Sequence, residues 1–181
     1  MDPRLQEMLD HHEIRKVLAL YCHACDRTDA ALLASLYAAE GSYDDHGIVK
    51  GPGSYYAREI TALIESTTRV MSHTLGQSVI QVDGAEARAE TFFLAFMTAE
   101  GEDGTPRLSQ LAGRFVDRLE RASDGWKIKQ RVALHDLSIT HRIEEDFLAT
   151  NGLVRGSRLP DDPGVALLGL AHTMPSNASP A

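Results

Sequence analysis

The stretch Leu5–Asp26, LQEMLDHHEIRKVLALYCHACD, predicts one long amphipathic helix that ends at a carboxylate. Its apolar side chains recur at helical spacing and form a single stripe, which consists of Ile14, Val17, Leu18, Tyr21 and Cys25. On a helical wheel of about 100° per residue, Asp26 lies roughly 40° beyond Cys22, at the margin of this stripe. We therefore expect Asp26 to face the mouth of a pocket while its neighbours face the core.

Two shorter helices are predicted after the first. Asp29 is the expected N-cap of a short second helix, and Ser54 is the expected N-cap of a third helix that ends near Ser66. Residues 42–50 lie between them and predict two short strands around a polar turn.

After residue 69 the pattern becomes typical of strands. Four stretches rich in β-branched or aromatic residues are separated by glycine-containing turns: Val70–Val82, Ala87–Ala99, Leu108–Arg121 and Trp126–Thr140. They predict a four-stranded antiparallel meander of long, bent strands. Three helices followed by such a sheet indicate an α+β fold, with the helices on the concave face of a cone-shaped sheet that surrounds an apolar pocket.

The stretch Phe92–Met97, FFLAFM, is apolar on both faces of its predicted strand. A strand covered on both faces is typical of a core on one side and a subunit partner on the other. We therefore expect the protein to be a homo-oligomer.

Length and composition limit the classes of protein. The 181 residues predict one domain over residues 1–145, and a Gly-, Pro- and Ser-rich extension over residues 146–181 that either covers the pocket or is disordered. The net charge of -8 argues against a nucleic-acid partner. Without a signal peptide or a long apolar run, we expect a cytoplasmic protein with no membrane partner.

Several site motifs are absent from the sequence. It contains no Gly-rich phosphate loop, no nucleophile elbow and no histidine spacing typical of a metal site. The pair Cys22 and Cys25 falls late in the predicted helix, so we interpret both as small buried residues. The sequence thus predicts neither a metal nor a cofactor and favours acid–base chemistry.

The order of four motifs resembles the SnoaL-like branch of the nuclear-transport-factor-2-like (NTF2-like, cystatin-like) superfamily. These motifs are Tyr21-Cys-His-Ala-Cys-Asp26, Gly51-Pro52, Met71-Ser72-His73-Thr74, and the hairpin that joins Gly113–Arg118 to Asp124–Ile128. The similarity spans about residues 5–142 and is greatest to bile-acid 7α-dehydratase, scytalone dehydratase and hexachlorocyclohexane dehydrochlorinase. It implies a cone-shaped α+β fold, an apolar cavity, elimination without a cofactor, and a homotrimer in preference to a dimer.

The resemblance also implies a catalytic dyad of Asp26 and His73, with Tyr21 as a hydrogen-bond donor to the leaving group or to an enolate oxygen. A neutral imidazole can take a proton from carbon, and a carboxylate on its other nitrogen fixes the tautomer and stabilises the imidazolium. From the residues alone, a core histidine and a helix-end carboxylate remain an alternative, as does a purely structural Tyr21.

Four further residues are predicted to bind the substrate. The place where the bile-acid enzyme has a functional arginine corresponds to His135, with Arg131 four residues earlier. His135 is either a second acid or a surface residue paired with Asp136. Tyr43 and Arg114 are weaker pocket candidates, because a structural role explains each of them better than substrate binding does.

These observations predict a cofactor-independent lyase, a dehydratase or dehydrohalogenase, that acts on an apolar alicyclic, steroid-like or polyketide-like substrate. The same dyad also suits an isomerase or a cyclase. The other alternative is a non-catalytic ligand-binding or assembly module. An example is the small subunit of a ring-hydroxylating dioxygenase, which the sequence also resembles.

Overall fold

A long helix and a curved sheet form most of the structure, a computed structural model that describes residues 2–144 and 146–170. The elements in chain order are α1 (Pro3–Arg27), α2 (Ala30–Ser35), β1 (Tyr43–Asp45), β2 (Lys50–Pro52), α3 (Gly53–Thr67), β3 (Val70–Asp83), β4 (Glu86–Glu100), β5 (Pro106–Ala122), β6 (Gly125–Arg142), α4 (Phe147–Thr150) and α5 (Pro163–Leu168). The predicted α+β fold is confirmed. Within these described residues, no helix is long and apolar enough to cross a membrane.

The sheet has six strands in the order β2-β1-β6-β5-β4-β3 and does not close into a barrel. The four long strands form the predicted antiparallel meander. The prediction of four antiparallel strands was incomplete, because β1 joins the same sheet parallel to β6 and β2 pairs with β1. These short strands satisfy backbone groups of β6 that would otherwise form an open edge.

Helix α1 has caps at both ends. The Asp2 side chain accepts a hydrogen bond from the backbone of Arg4, and Thr28 ends the helix in a left-handed conformation at φ 54°. All five residues of the predicted stripe are buried in the core. The Asp29 side chain caps α2 as predicted and accepts from the Leu32 amide at 2.8 Å.

Helix α3 begins earlier than predicted. Its N-cap is Pro52, which makes no side-chain hydrogen bond to the helix, so the assignment of Ser54 as the cap was wrong. Gly53 occupies the first helical position under the ring of Tyr37, where an added Cβ would lie 2.4 Å from Tyr37 Cγ. The helix therefore starts at a glycine packed closely against this ring and has no polar side-chain cap.

The two faces of β4 have different environments. Phe93 and Ala95 point into the core, whereas Phe92, Leu94 and Phe96 are exposed on the outer face of the sheet. We call these three residues the outer apolar row. Their exposure agrees with the apolar character expected on both faces of this strand.

A β-bulge near the middle of β6 lies beside the cavity. Ala112 pairs with Leu137 and Gly113 pairs with His135, so Asp136 is the additional residue. The backbone approaches closely here, since a Cβ on Gly113 would lie 2.1 Å from the Leu134 carbonyl oxygen.

We expect Gly113→Ala to destabilise the protein by about 1–3 kcal/mol, because the new methyl group forces apart two hydrogen-bonded strands. Urea unfolding measures this change. The matched control is Gly156→Ala, whose Cβ would meet no atom within 4 Å. Equal stability of the two variants would contradict the prediction.

The described part of the C-terminal extension contacts the end of α1. Arg27 Nε lies 2.9 Å from Asp162 Oδ2, and Val165 is buried. The Arg158 guanidinium donates to the Thr68 carbonyl oxygen at 2.8 Å. Residues 158–165 therefore contact the domain, residues 147–156 are exposed, and residues 171–181 of the predicted extension lie outside the described residues.

Candidate active site

A cavity of about 480 Å³ lies between helices α1 and α3 and strands β3–β6. Its wall is mainly apolar, with polar side chains at a few positions; the apolar part includes Ile60, Leu63, Phe93, Leu111 and Phe115. Both the volume and this composition are typical of small-molecule sites.

His73 lines this cavity and bonds to Asp26, which is not itself part of the cavity wall. His73 Nδ1 donates to Asp26 Oδ1 at 2.6 Å, and the His73 backbone amide donates to Asp26 Oδ2 at 3.0 Å. An ionised carboxylate only accepts, so the ring proton lies on Nδ1 and the Nε2 of the neutral ring is free to accept a proton. The two side chains are 10 and 12% exposed, which leaves little water to compete.

Packing of α1 on β3 brings the pair together across 47 residues of sequence. Asp26 is near the end of α1, at the margin of the buried stripe, and His73 lies near the start of β3. The two hydrogen bonds hold the carboxylate against both the ring and the backbone of His73. The structure brings the predicted pair into contact, while its catalytic role remains a prediction.

A second histidine–aspartate pair, which the sequence analysis missed, borders the same cavity. His46 Nδ1 donates to Asp44 Oδ1 at 2.6 Å, and the Tyr37 hydroxyl donates to the other oxygen of Asp44. Asp44 is completely buried. A signal did exist in the sequence, because residues two apart in an extended segment share one face.

Tyr21 belongs to the network around His46. Its hydroxyl lies 3.2 Å from His46 Nε2 and 2.9 Å from the Tyr56 hydroxyl. Burial, followed by the nearby Tyr56 and Asp44, raises the pKa of Tyr21 well above its ordinary value. Tyr21 therefore stays protonated as a neutral donor.

His135 lines the cavity next to His46, with their ring centroids 6.3 Å apart. Burial and then the neighbouring His46 lower the pKa of His135, while Asp136 acts in the opposite direction. The Asp136 carboxylate accepts a hydrogen bond from Arg114 Nε at 3.2 Å. His135 is exposed, as the alternative of a surface histidine expected, whereas Asp136 pairs with Arg114 rather than with this ring.

We expect His46→Gln to raise the pKa of His135 toward the ordinary imidazole value, because it removes the neighbouring ring that helps to lower this pKa. NMR titration of the ring resonances measures the shift. In the matched control Asp136→Asn, loss of a negative charge should lower the pKa of His135 further. An unchanged titration of His135 in both variants would contradict this account.

Arg131 lies behind the cavity wall. Its Nε and Nη2 donate to the two oxygens of Asp117 at 2.7 and 2.8 Å, and its guanidinium stacks on the rings of Tyr21 and Phe115 at 4.0 and 4.2 Å. Burial lowers the pKa of Arg131, but the Asp117 carboxylate outweighs it and raises the pKa well above its usual range. Arg131 is thus completely buried and paired with Asp117. This position supports the cavity wall and differs from the substrate-binding role expected from the sequence.

Arg114 and Tyr43 also lie away from the cavity. Arg114 is on the outer face of the sheet, where it pairs with Glu90 and Asp136 at 3.1 and 3.2 Å. Tyr43 begins β1 and is 40% exposed. Neither residue is part of the cavity wall. The expectation that they bind substrate therefore does not match their positions, since Arg114 is on the outer face of the sheet and Tyr43 is exposed.

The two cysteines are free and buried, as predicted. Burial raises the pKa of Cys22 to about 12, which keeps the thiol protonated and unreactive. In residues 2–144 and 146–170, no group of three or more His, Cys, Asp or Glu side chains could hold a metal ion.

Comparison with known families gives one domain match. The family described as SnoaL-like domain matches residues 6–132. A search of proteins with curated functions found no match.

Several solved structures share the fold. A putative scytalone dehydratase from Novosphingobium aromaticivorans is 18% identical, with a TM-score of 0.66 over 76% of this chain and 91% of that one. Hexachlorocyclohexane dehydrochlorinase LinA-type3 from Novosphingobium barchaimii is 14% identical, with a TM-score of 0.65 over 79% and 96%. An NTF2-like superfamily protein from Salmonella enterica is 18% identical, with a TM-score of 0.64 over 72% and 94%.

Proposed function

This chain belongs to the SnoaL-like domain family, and from that premise we propose that it is a cofactor-independent lyase acting on a small apolar substrate. The substrate class is alicyclic, steroid-like or polyketide-like, and the reaction removes water or a halide. The observation that supports this proposal is the Asp26–His73 hydrogen bond at the wall of an apolar cavity.

His73 is the base in this reaction. Its free Nε2 takes a proton from a substrate carbon, and the Asp26 carboxylate stabilises the imidazolium that forms. The apolar surroundings strengthen both effects because little solvent screens the charges. The substrate proton and the ring must then lie within hydrogen-bond distance, which the cavity permits because His73 forms part of its wall.

The hydroxyl groups of Tyr21 and Tyr56, together with the ring of His46, form the polar end of the cavity. This polar end accommodates the substrate oxygen, where hydrogen-bond donors stabilise developing negative charge. Among the described residues that line the cavity, none is Lys or Arg. An uncharged substrate therefore suits it better than a carboxylate.

The probe 5-nitrobenzisoxazole tests this base without knowledge of the natural substrate. Removal of its ring proton breaks the N–O bond and releases a coloured phenolate, which needs no proton to leave. We expect saturable turnover that depends on His73. Turnover that is absent, or unchanged when His73 is replaced, would overturn the proposed function.

The outer apolar row favours an assembly role as a second candidate, because exposed apolar patches often mark subunit contacts. We propose that it joins copies of this chain into a homo-oligomer, a trimer in preference to a dimer. Light scattering of the purified protein tests this, and a monomer would contradict it. Stable co-purification with a larger iron-bearing chain would instead favour a structural subunit.

A further inference from the structure

The second histidine–aspartate pair adds a histidine, His46, to the cavity wall, and this residue has no role in the proton abstraction proposed for His73. Resting on the proposed function, we propose that His46 is the general acid of the elimination and that the leaving group is consequently a hydroxyl rather than a halide. The argument depends on how His46 is held, on its access to the cavity and on its separation from His73.

Asp44 holds His46 in the same way that Asp26 holds His73. Both carboxylates accept from ring Nδ1 at 2.6 Å, and each has a second donor on its other oxygen. Asp44 is completely buried and held by Tyr37 as well as His46, so it keeps the Nδ1 side of the His46 ring in one position. The protonated ring keeps Nδ1–H on Asp44 and presents Nε2–H as the acid.

His46 reaches the cavity better than the tyrosines beside it. Its side chain is 15% exposed, whereas Tyr21 and Tyr56 are almost completely buried. Burial also raises the pKa of both phenols well above their ordinary value, so they release a proton less readily than an imidazolium. The Tyr21 hydroxyl contacts Nε2 of His46 at 3.2 Å and is itself held by the Tyr56 hydroxyl at 2.9 Å, so the tyrosines position the ring and the imidazolium is the group that gives up a proton.

Two aromatic rings connect the two pairs. Ring centroids lie 6.3 Å apart for His73 and Phe93, 4.5 Å for Phe93 and Phe115, and 6.0 Å for Phe115 and His46. The base and the acid thus face the same cavity from different parts of its wall. This arrangement allows one group to take a proton while the other gives one to a different atom of the substrate.

The proton balance follows from these positions. Nε2 of neutral His73 takes the proton from carbon, and those electrons form the new C=C bond. The C–O bond breaks with its electron pair on oxygen, which takes the proton from Nε2 of His46 and leaves as water. His73 is then protonated and His46 neutral, and exchange of one proton with solvent at each ring restores the starting state. A halide leaves as a stable anion and needs no such acid.

Two matched probes separate the acid from the base. 3-Hydroxy-1-tetralone and 3-chloro-1-tetralone both give 1-naphthol, after loss of water or of hydrogen chloride and tautomerisation. We expect His46→Gln to lower kcat/KM for the hydroxy compound by about 10²-fold more than for the chloro compound, whose leaving group needs no acid. The chloro rate also reports whether the variant is folded, because it requires an intact cavity and His73.

The control is His135→Gln, which alters the neighbouring ring in the same cavity. It should change the rates of both tetralones by the same factor. Equal loss with both probes in His46→Gln would overturn the inference, as would a wild-type protein that converts the chloro compound alone or neither tetralone. The proposed function is tested separately, by the His73-dependent turnover of 5-nitrobenzisoxazole.

Discussion

Replacing His73 with glutamine should lower kcat/KM for 5-nitrobenzisoxazole by about 10²–10⁴-fold, the usual contribution of a positioned general base. Glutamine keeps a polar side chain that can still donate to Asp26, but its amide does not accept a proton at neutral pH. The loss should appear mainly in kcat, because the apolar cavity that binds the probe stays intact. Stopped-flow or steady-state absorbance of the released phenolate measures it.

Asp26→Asn should produce a loss of similar size. The amide oxygen can still accept from the His73 backbone, so the fold is retained, but the neutral side chain no longer stabilises the imidazolium or fixes the tautomer. The matched control is Asp29→Asn, the same change three residues later, where asparagine serves equally well as the N-cap of α2. Near-wild-type rates in both Asp26→Asn and His73→Gln would refute a dyad.

Replacing Arg131 with methionine should destabilise the fold by about 3–5 kcal/mol, because it leaves the completely buried Asp117 without its partner. Urea unfolding measures the loss. The double variant Arg131→Met with Asp117→Leu should recover most of it, since it removes both charges together. This recovery distinguishes an unpaired buried charge from a simple loss of packing.

Arg114→Met is the control for this prediction. Arg114 makes two ion pairs as well, but on the partly solvated outer face of the sheet, where such pairs contribute about 0–1 kcal/mol. A loss in Arg131→Met no greater than in Arg114→Met would contradict the structural role given to Arg131. Retained stability together with weaker substrate binding would restore the substrate-binding role that the sequence suggested.

Local patterns predicted most of the secondary structure. The helical stripe of α1, the Asp29 cap and the four long strands all depend on residues close in sequence, and each is present. The start of α3 was not predicted in this way: the helix begins at Gly53, which packs against the ring of Tyr37 from outside the helix. The same limit applies to the pairing of β1, which was expected as a strand but joins β6 from the far end of the domain.

Arg131 shows why spacing along a strand was insufficient. Arg131 and His135 lie four residues apart on β6, and both were expected to bind a substrate. Arg131 lies directly opposite Asp117 on β5, which binds it in the core, whereas His135 lies beside the bulge and lines the cavity. An even spacing along a strand predicts the same face for both residues, but the two differ in burial and only His135 lines the cavity.

By itself, the sequence determined the order of helices and strands and, through the resemblance of its motifs, the Asp26–His73 pair. These features depend on hydrophobic periodicity and turn residues, which act over short distances. Only the tertiary structure placed Asp44 and His46 beside Tyr21 and removed Arg131 from the cavity. Those placements depend on strand pairing and on burial between distant elements, which set the environment of each charged side chain and hence its chemistry.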